Sequence, residues 1–180
     1  TRKVGVNEQL TLSCQFGALQ PHDKGVQFDF ITTAKVGSEV VMEGTTTYLA
    51  RQKTDGKVAA KPAETKTPAY ELNAEWNVSE NIGRRYALTS GDFNLIHIHA
   101  ITAKAFGFKQ AIAHGMWSKA KALASLTLPD RYEADVWFKL PMYLPSTVEF
   151  LTAQAGKNTE FLIRNSKNQK PHVAGSVKAL

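Results

Sequence analysis

The chain has 180 residues, 43% of them apolar, and a formal net charge of +6. That length builds one well-buried domain, or one domain with part of another, and the composition excludes a chain disordered throughout. No run of 18 apolar residues occurs, so no transmembrane helix and no membrane partner are expected.

Residues 1–5 lack the apolar core of a signal peptide and an initiator Met, so a cut or missing residues upstream are expected. Cys14 is the one cysteine and cannot make an internal disulfide. It reads as a small buried side chain in a reducing compartment, hence the cytoplasm. The lysines are scattered, apart from residues 53–66 and 157–170. A basic balance suits nucleic acid, an anionic ligand with several phosphates, or a solvated surface. No recognisable nucleic-acid motif accompanies it, so no nucleic-acid partner is expected.

Residues 8–17 alternate, with Leu10, Leu12, Cys14 and Phe16 on one side, which predicts a strand. Lys24-Gly25 marks a turn before a second strand over 26–32. Val36-Gly37-Ser38 marks another before a third over 39–51, rich in Val, Thr and Tyr. Residues 52–68 are Lys, Ala, Thr and Pro with almost no large apolar side chain, and read as a linker or exposed loop. The pattern then turns helical. Ser79 is placed to cap a short helix running to about Ala87, and a second is expected over 98–106. The clearest helix starts at Gly115 and runs to about Leu126. Its apolar stripe takes Met116, Trp117, Ala120, Leu123 and Ala124, with Lys119 and Lys121 off it. Strands follow over 132–140, 147–155, 160–165 and 172–180, with residues 165–168 as the last turn.

An antiparallel sheet around one amphipathic helix is the economical way to bury that stripe. The fold class is therefore α+β, a hotdog, with residues 71–180 as the principal domain. Residues 1–51 read as strands of a partial second hotdog without a helix, and residues 52–70 as the linker.

Chemistry concentrates in Ser90-Gly91-Asp92-Phe93-Asn94-Leu95-Ile96-His97 and in Ala113-His114-Gly115-Met116. A carboxylate and an imidazole five residues apart on one loop-to-helix segment can hold one water and exchange its proton. Asn94 lies between them, able to bond the loop or a substrate. Gly115 opens the long helix, where backbone N–H groups lack intrahelical partners and favour negative charge. A glycine there lets a polarised carbonyl approach the backbone.

Ser90-Gly91-Asp92-Phe93-Asn94, Ile96-His97, Ala103, Gly107-Phe108 and Ala113-His114-Gly115-Met116 resemble the signature of MaoC-like dehydratases and R-specific enoyl-CoA hydratases. The resemblance is strong from Trp76 to Leu180 and departs once, at Leu95, where that family usually carries Pro. It implies a catalytic pair, Asp92 and His97, and an oxyanion N–H from Gly115. Beside these, Ser90, Asn94, His114 and Met116 are read as substrate-binding or orienting residues, with His114 orienting the helix start. The implied reaction is reversible addition of water to a 2-enoyl thioester, giving the (R)-3-hydroxyacyl thioester. No metal and no cofactor are implied, beyond coenzyme A or an acyl carrier as part of the substrate. A homodimer and an apolar tunnel beside Gly115 are expected.

Other histidines and aromatics have plainer readings. His99 reads as a helix-surface residue rather than a metal ligand. His22 and His172 lie near turns. Trp76, Trp117 and Trp137 read as core, and Arg84 and Arg85 as an exposed helix face. Two other functions fit a hotdog: an acyl-thioester hydrolase and a non-catalytic acyl-binding module. The first would need an acid or nucleophile on the long helix, and residues 115–126 contain no acid.

Overall fold

The structure, a computed structural model, describes residues 2–53 and 68–180 in two compact units. Most of the expected linker lies outside the described residues. No helix among those described is long and apolar enough to cross a membrane.

The first unit is an antiparallel meander of β1 (Thr11–His22), β2 (Gly25–Val36) and β3 (Glu39–Arg51). It contains no helix among its described residues, as expected. Its register places Phe16 opposite Phe30 and Phe28 opposite Tyr48. Those four rings form one cluster on a single face, with Phe16 and Phe30 centroids 4.6 Å apart. Cys14 lies on the same face opposite Thr32, but it is exposed rather than buried. Alternation fixes the face a side chain points to, and says nothing of whether anything covers that face.

The second unit is a five-stranded antiparallel sheet, in order β4-β6-β7-β8-β5. Its strands are β4 (Glu71–Val78), β5 (Tyr132–Phe138), β6 (Ser146–Ala155), β7 (Asn158–Asn165) and β8 (Pro171–Ala179). Four helices stand between β4 and β5: α1 (Ile82–Ser90), α2 (Leu95–Ile98), α3 (Ala100–Ala105) and α4 (Gly115–Ala124). The core is built from alternate positions on the central strands, Val148 and Phe150 of β6 with Phe161 and Ile163 of β7. Trp76 stacks on Phe150 at 4.8 Å. At the β7–β8 turn, Asn165 Oδ1 accepts from the backbone N–H groups of Lys167 and Asn168.

Helix α4 packs on this sheet through a face different from the expected one. Ser118 and Ala122 are its buried residues, flanked by half-buried Trp117 and Leu123, while Met116, Ala120 and Ala124 face solvent. Small side chains one turn apart let the helix backbone approach the strands, and alanine can stand on either side of such a helix. Lys121 lies over the Trp76 ring, 5.2 Å from its centroid. Trp137 is about half exposed on edge strand β5 and is not core.

Candidate active site

The loop carrying Asp92 is held by short-range bonds that its sequence supplies. Helix α1 ends at Gly91, whose φ of 73° is the left-handed conformation that glycine adopts without strain, and its N–H reaches the Ala87 carbonyl. The Ser90 hydroxyl donates to the Tyr86 carbonyl at 2.9 Å and accepts from Asp92 N–H at 3.2 Å. Asp92 Oδ1 accepts from Asn94 N–H at 3.1 Å, and Asn94 Oδ1 accepts from Ile96 N–H as the N-cap of α2. The structure thus places the Ser90 and Asn94 side chains in backbone bonds that shape the loop.

This explains how Leu95 can replace proline. Leu95 is the first residue of α2, and Asn94 before it is extended, at φ −56° and ψ 126°. Proline suits the first helical position and demands an extended predecessor. Leu95→Pro should therefore fold unchanged and gain about 0.4–1 kcal/mol, measured by denaturant unfolding, with activity equal or higher.

His97 is half-buried on α2, and its Nδ1 lies 2.8 Å from the Ile112 carbonyl oxygen. A carbonyl only accepts, so Nδ1 carries the proton and Nε2 keeps its lone pair. Ile112 is itself fixed by a bond from its N–H to the Ile96 carbonyl. Its neighbours bond to Met142 and Leu144. Burial, acting first, pushes the His97 imidazole below its ordinary value. The Ile112 bond opposes this, His114 adds to it, and Asp92 opposes it.

His114 is 2% exposed and caps α4. Its Nε2 donates to the Asp92 carbonyl oxygen at 3.0 Å and lies 3.7 Å from Asp92 Oδ2. Its ring stacks on His97 with centroids 3.7 Å apart, and Tyr86 approaches it at 5.0 Å. Gly115 follows as the first residue of α4. A Cβ there would lie 2.9 Å from the Phe138 ring, so close aromatic packing is a second reason for glycine at this position.

Asp92, His97 and His114 each bring one ligating atom within 4.8 Å of the other two. This is the group among the described residues that could hold a metal ion. Two of the four imidazole nitrogens already donate to backbone carbonyls. The same spacing suits a water, because two hydrogen bonds of about 2.8 Å span at most about 5.6 Å. Asp92 is 53% exposed, and Phe93 and Met116 are exposed.

The remaining residues find local roles. His99 is exposed, as expected, and its Nδ1 accepts from Ile101 N–H as the N-cap of α3. That cap starts α3 two residues inside the helix expected over 98–106, and α2 before it is an additional short helix. Arg84 donates to the Ile98 carbonyl at 3.1 Å. Gly83 on α1 was not singled out by its sequence. A Cβ there would fall on the His97 carbonyl oxygen and 2.9 Å from its carbon.

His172 is buried on β8, donates from Nδ1 to the Leu140 carbonyl at 3.1 Å, and leaves Nε2 unpartnered. Burial holds it below its ordinary value of 6.5, against the bonds to Leu140 and Pro141. Both His97 and His172 therefore bind protons more readily unfolded than folded. Their stabilising contribution is complete above about pH 6.5 and is lost as pH falls through the lower folded values. Calorimetry should show Tm falling between about pH 7 and pH 5, and falling less in His172→Gln, whose amide can still donate to Leu140.

A family model described as a MaoC like domain matches residues 62–174. The chain is 32% identical over 182 residues to 3-hydroxyacyl-thioester dehydratase X of Mycobacterium tuberculosis, across 99% of this chain. It spans 65% of that relative's length. The crystal structure of HtdX from Mycobacterium tuberculosis superposes with a TM-score of 0.83 at 32% identity, covering 99% of this chain and 72% of that one. A MaoC-like dehydratase from Phytophthora capsici gives 0.76 at 23% identity, over 95% of this chain and 62% of that one, and bears on the fold alone. The sheet with α4 packed on it is the hotdog expected from the sequence, and the chain belongs to the MaoC-like domain family.

Proposed function

We propose that the chain catalyses reversible hydration of a 2-enoyl thioester to the (R)-3-hydroxyacyl thioester. The observation that carries this is the convergence of Asp92 and His97, within 4.8 Å, beside the start of α4. One water sits between the Asp92 carboxylate and the lone pair of His97 Nε2. It adds to the alkene carbon distal to the thioester, and the pair manages the proton that reaches the carbon next to the carbonyl. The thioester carbonyl gains negative charge as water adds and takes the N–H of Gly115. One such donor contributes about 3–4 kcal/mol to barrier lowering. Ser90, Asn94 and His114 orient the loop, and Met116 borders the acyl group.

The substrate is carried by coenzyme A or an acyl carrier, and no other cofactor and no metal take part. Residues 1–51 form the helix-less part of a second hotdog, and two chains associate as a cytoplasmic homodimer. The relative named as a 3-hydroxyacyl-thioester dehydratase supports the reaction class. An acyl-thioester hydrolase is the alternative, but no specific observation favours it.

Crotonyl-CoA tests the reading. Loss of the conjugated enoyl absorbance without release of free thiol is the expected result, unchanged after dialysis against EDTA. Thiol release would replace hydration with hydrolysis. Activity lost to EDTA and restored by zinc would assign the Asp92–His97–His114 cluster to a metal.

A further inference from the structure

Resting on that reading, we propose that His114 is a positioning residue which sets the spacing of Asp92, His97 and Gly115 through one buried ring. Its Nε2–H holds the Asp92 main chain at 3.0 Å, so the carboxylate cannot drift with its exposed loop. Its ring face backs His97 at 3.7 Å, while the edge of that imidazole is held by its bond to Ile112. Its own backbone continues directly into Gly115 and the first turn of α4. Asp92 and His97 thus meet on a side chain that is 2% exposed, and Gly115 follows it directly along the backbone. Among the described residues, no other hydrogen bond or ring contact joins all three. The loop's internal bonds tie Ser90, Asp92 and Asn94 to each other, and none of them reaches α4.

The tautomer follows from the acceptor. The Asp92 oxygen is a backbone carbonyl, so His114 carries its proton on Nε2, and Nδ1 is buried with no hydrogen-bond partner. The groups facing His97 are Asp92 on the preceding loop, His114 at the start of α4 and the Ile112 carbonyl. Tyr86 of α1 reaches His114, and the Ser118 hydroxyl of α4 donates to the His114 carbonyl. The proximity of His114 is one of the influences that lower the His97 value.

Two variants separate clamp from stack. His114→Phe keeps a ring against His97 and removes the donor to Asp92. His114→Gln keeps a donor and removes the ring. Displacing a catalytic group by about 1 Å costs about a hundredfold, so His114→Phe should lower kcat by about that factor with KM little changed. His114→Gln should recover part of the loss. The His97 titration midpoint, followed by imidazole NMR, should move in His114→Phe, because both His114 and the Asp92 it holds act on that imidazole. The NMR arm needs no turnover, so it stands even if the wild-type chain fails to hydrate crotonyl-CoA. In the wild-type chain, nitrogen-15 imidazole spectra should place the His114 proton on Nε2 and the His97 proton on Nδ1. A His114 proton on Nδ1, or a His114→Phe variant with wild-type kcat and an unmoved His97 midpoint, overturns the proposal.

Discussion

Asp92→Asn should lower hydration of crotonyl-CoA by about a hundred- to ten-thousandfold while the fold persists, because a positioned proton-transfer group contributes about that much. The substitution is close to isosteric. An Asn Oδ1 can still accept from Asn94 N–H, so the turn that Asp92 closes should survive. What disappears is an oxygen able to take a proton from water. His97→Ala should lose a similar factor by removing the Nε2 lone pair that the Ile112 bond directs outward. The double variant should lose much less than the product of the two, because both groups act on one water. His99→Ala supplies the control. It removes the cap of α3 and should cost about 1 kcal/mol of stability, with kcat unchanged.

Gly83→Ala should be the most damaging single methyl in the second unit. Its Cβ would fall on the His97 carbonyl, and the atoms it meets are backbone, which cannot rotate away. Either α1 or α2 must move. Overpacking of this kind typically costs about 1–3 kcal/mol, and a backbone partner places Gly83 at the upper end. For a chain of this size that corresponds to a fall in Tm of about 6–12 °C by calorimetry. Because the displaced residue is His97, kcat should fall by more than the lost stability explains when both are measured well below the new Tm. Gly115→Ala gives the contrast. The methyl there meets the half-exposed Phe138 ring, which can swing aside, so stability should change less.

Much of this arrangement was legible in the sequence. Alternation and turn residues marked the strands over 26–32, 39–51 and 147–155, and strict period-two patterning leaves little freedom there. Strand β4 was not anticipated. Glu71–Val78 reads Glu-Leu-Asn-Ala-Glu-Trp-Asn-Val, a period-two alternation of polar and apolar residues that carries only one β-branched side chain. The alternation turns Ala74, Trp76 and Val78 toward the core, and β6 pairs with the strand along its length. The cap of α1 moved from Ser79 to Asn81 because the Ser79 hydroxyl bonds the Asn81 side chain instead of a helix N–H. Helix signals did not show that His99 would interrupt the segment after His97. Histidine is an infrequent cap, and only its Nδ1 position reveals the role.

The candidate site divides in the same way. Asp92, His97 and Gly115 stood out because their residue types carry chemistry at a recognisable spacing. Gly83 did not, since its importance depends on a carbonyl fourteen residues further along the chain. Nor could the sequence show that His114 would touch both Asp92 and His97. Cys14, in an alternating run, and Trp137 were both expected inside, but an edge strand or an uncovered sheet face leaves such side chains in water.

The central step is one water added between Asp92 and His97 with the thioester left intact. Oxygen-18 water follows that atom directly. After incubation with crotonyl-CoA, mass spectrometry should find one heavy oxygen in the 3-hydroxyl group of an intact (R)-3-hydroxybutyryl-CoA, and none in the Asp92→Asn reaction over the same time. Heavy oxygen in a free carboxylate, or equal labelling by wild type and Asp92→Asn, would contradict it.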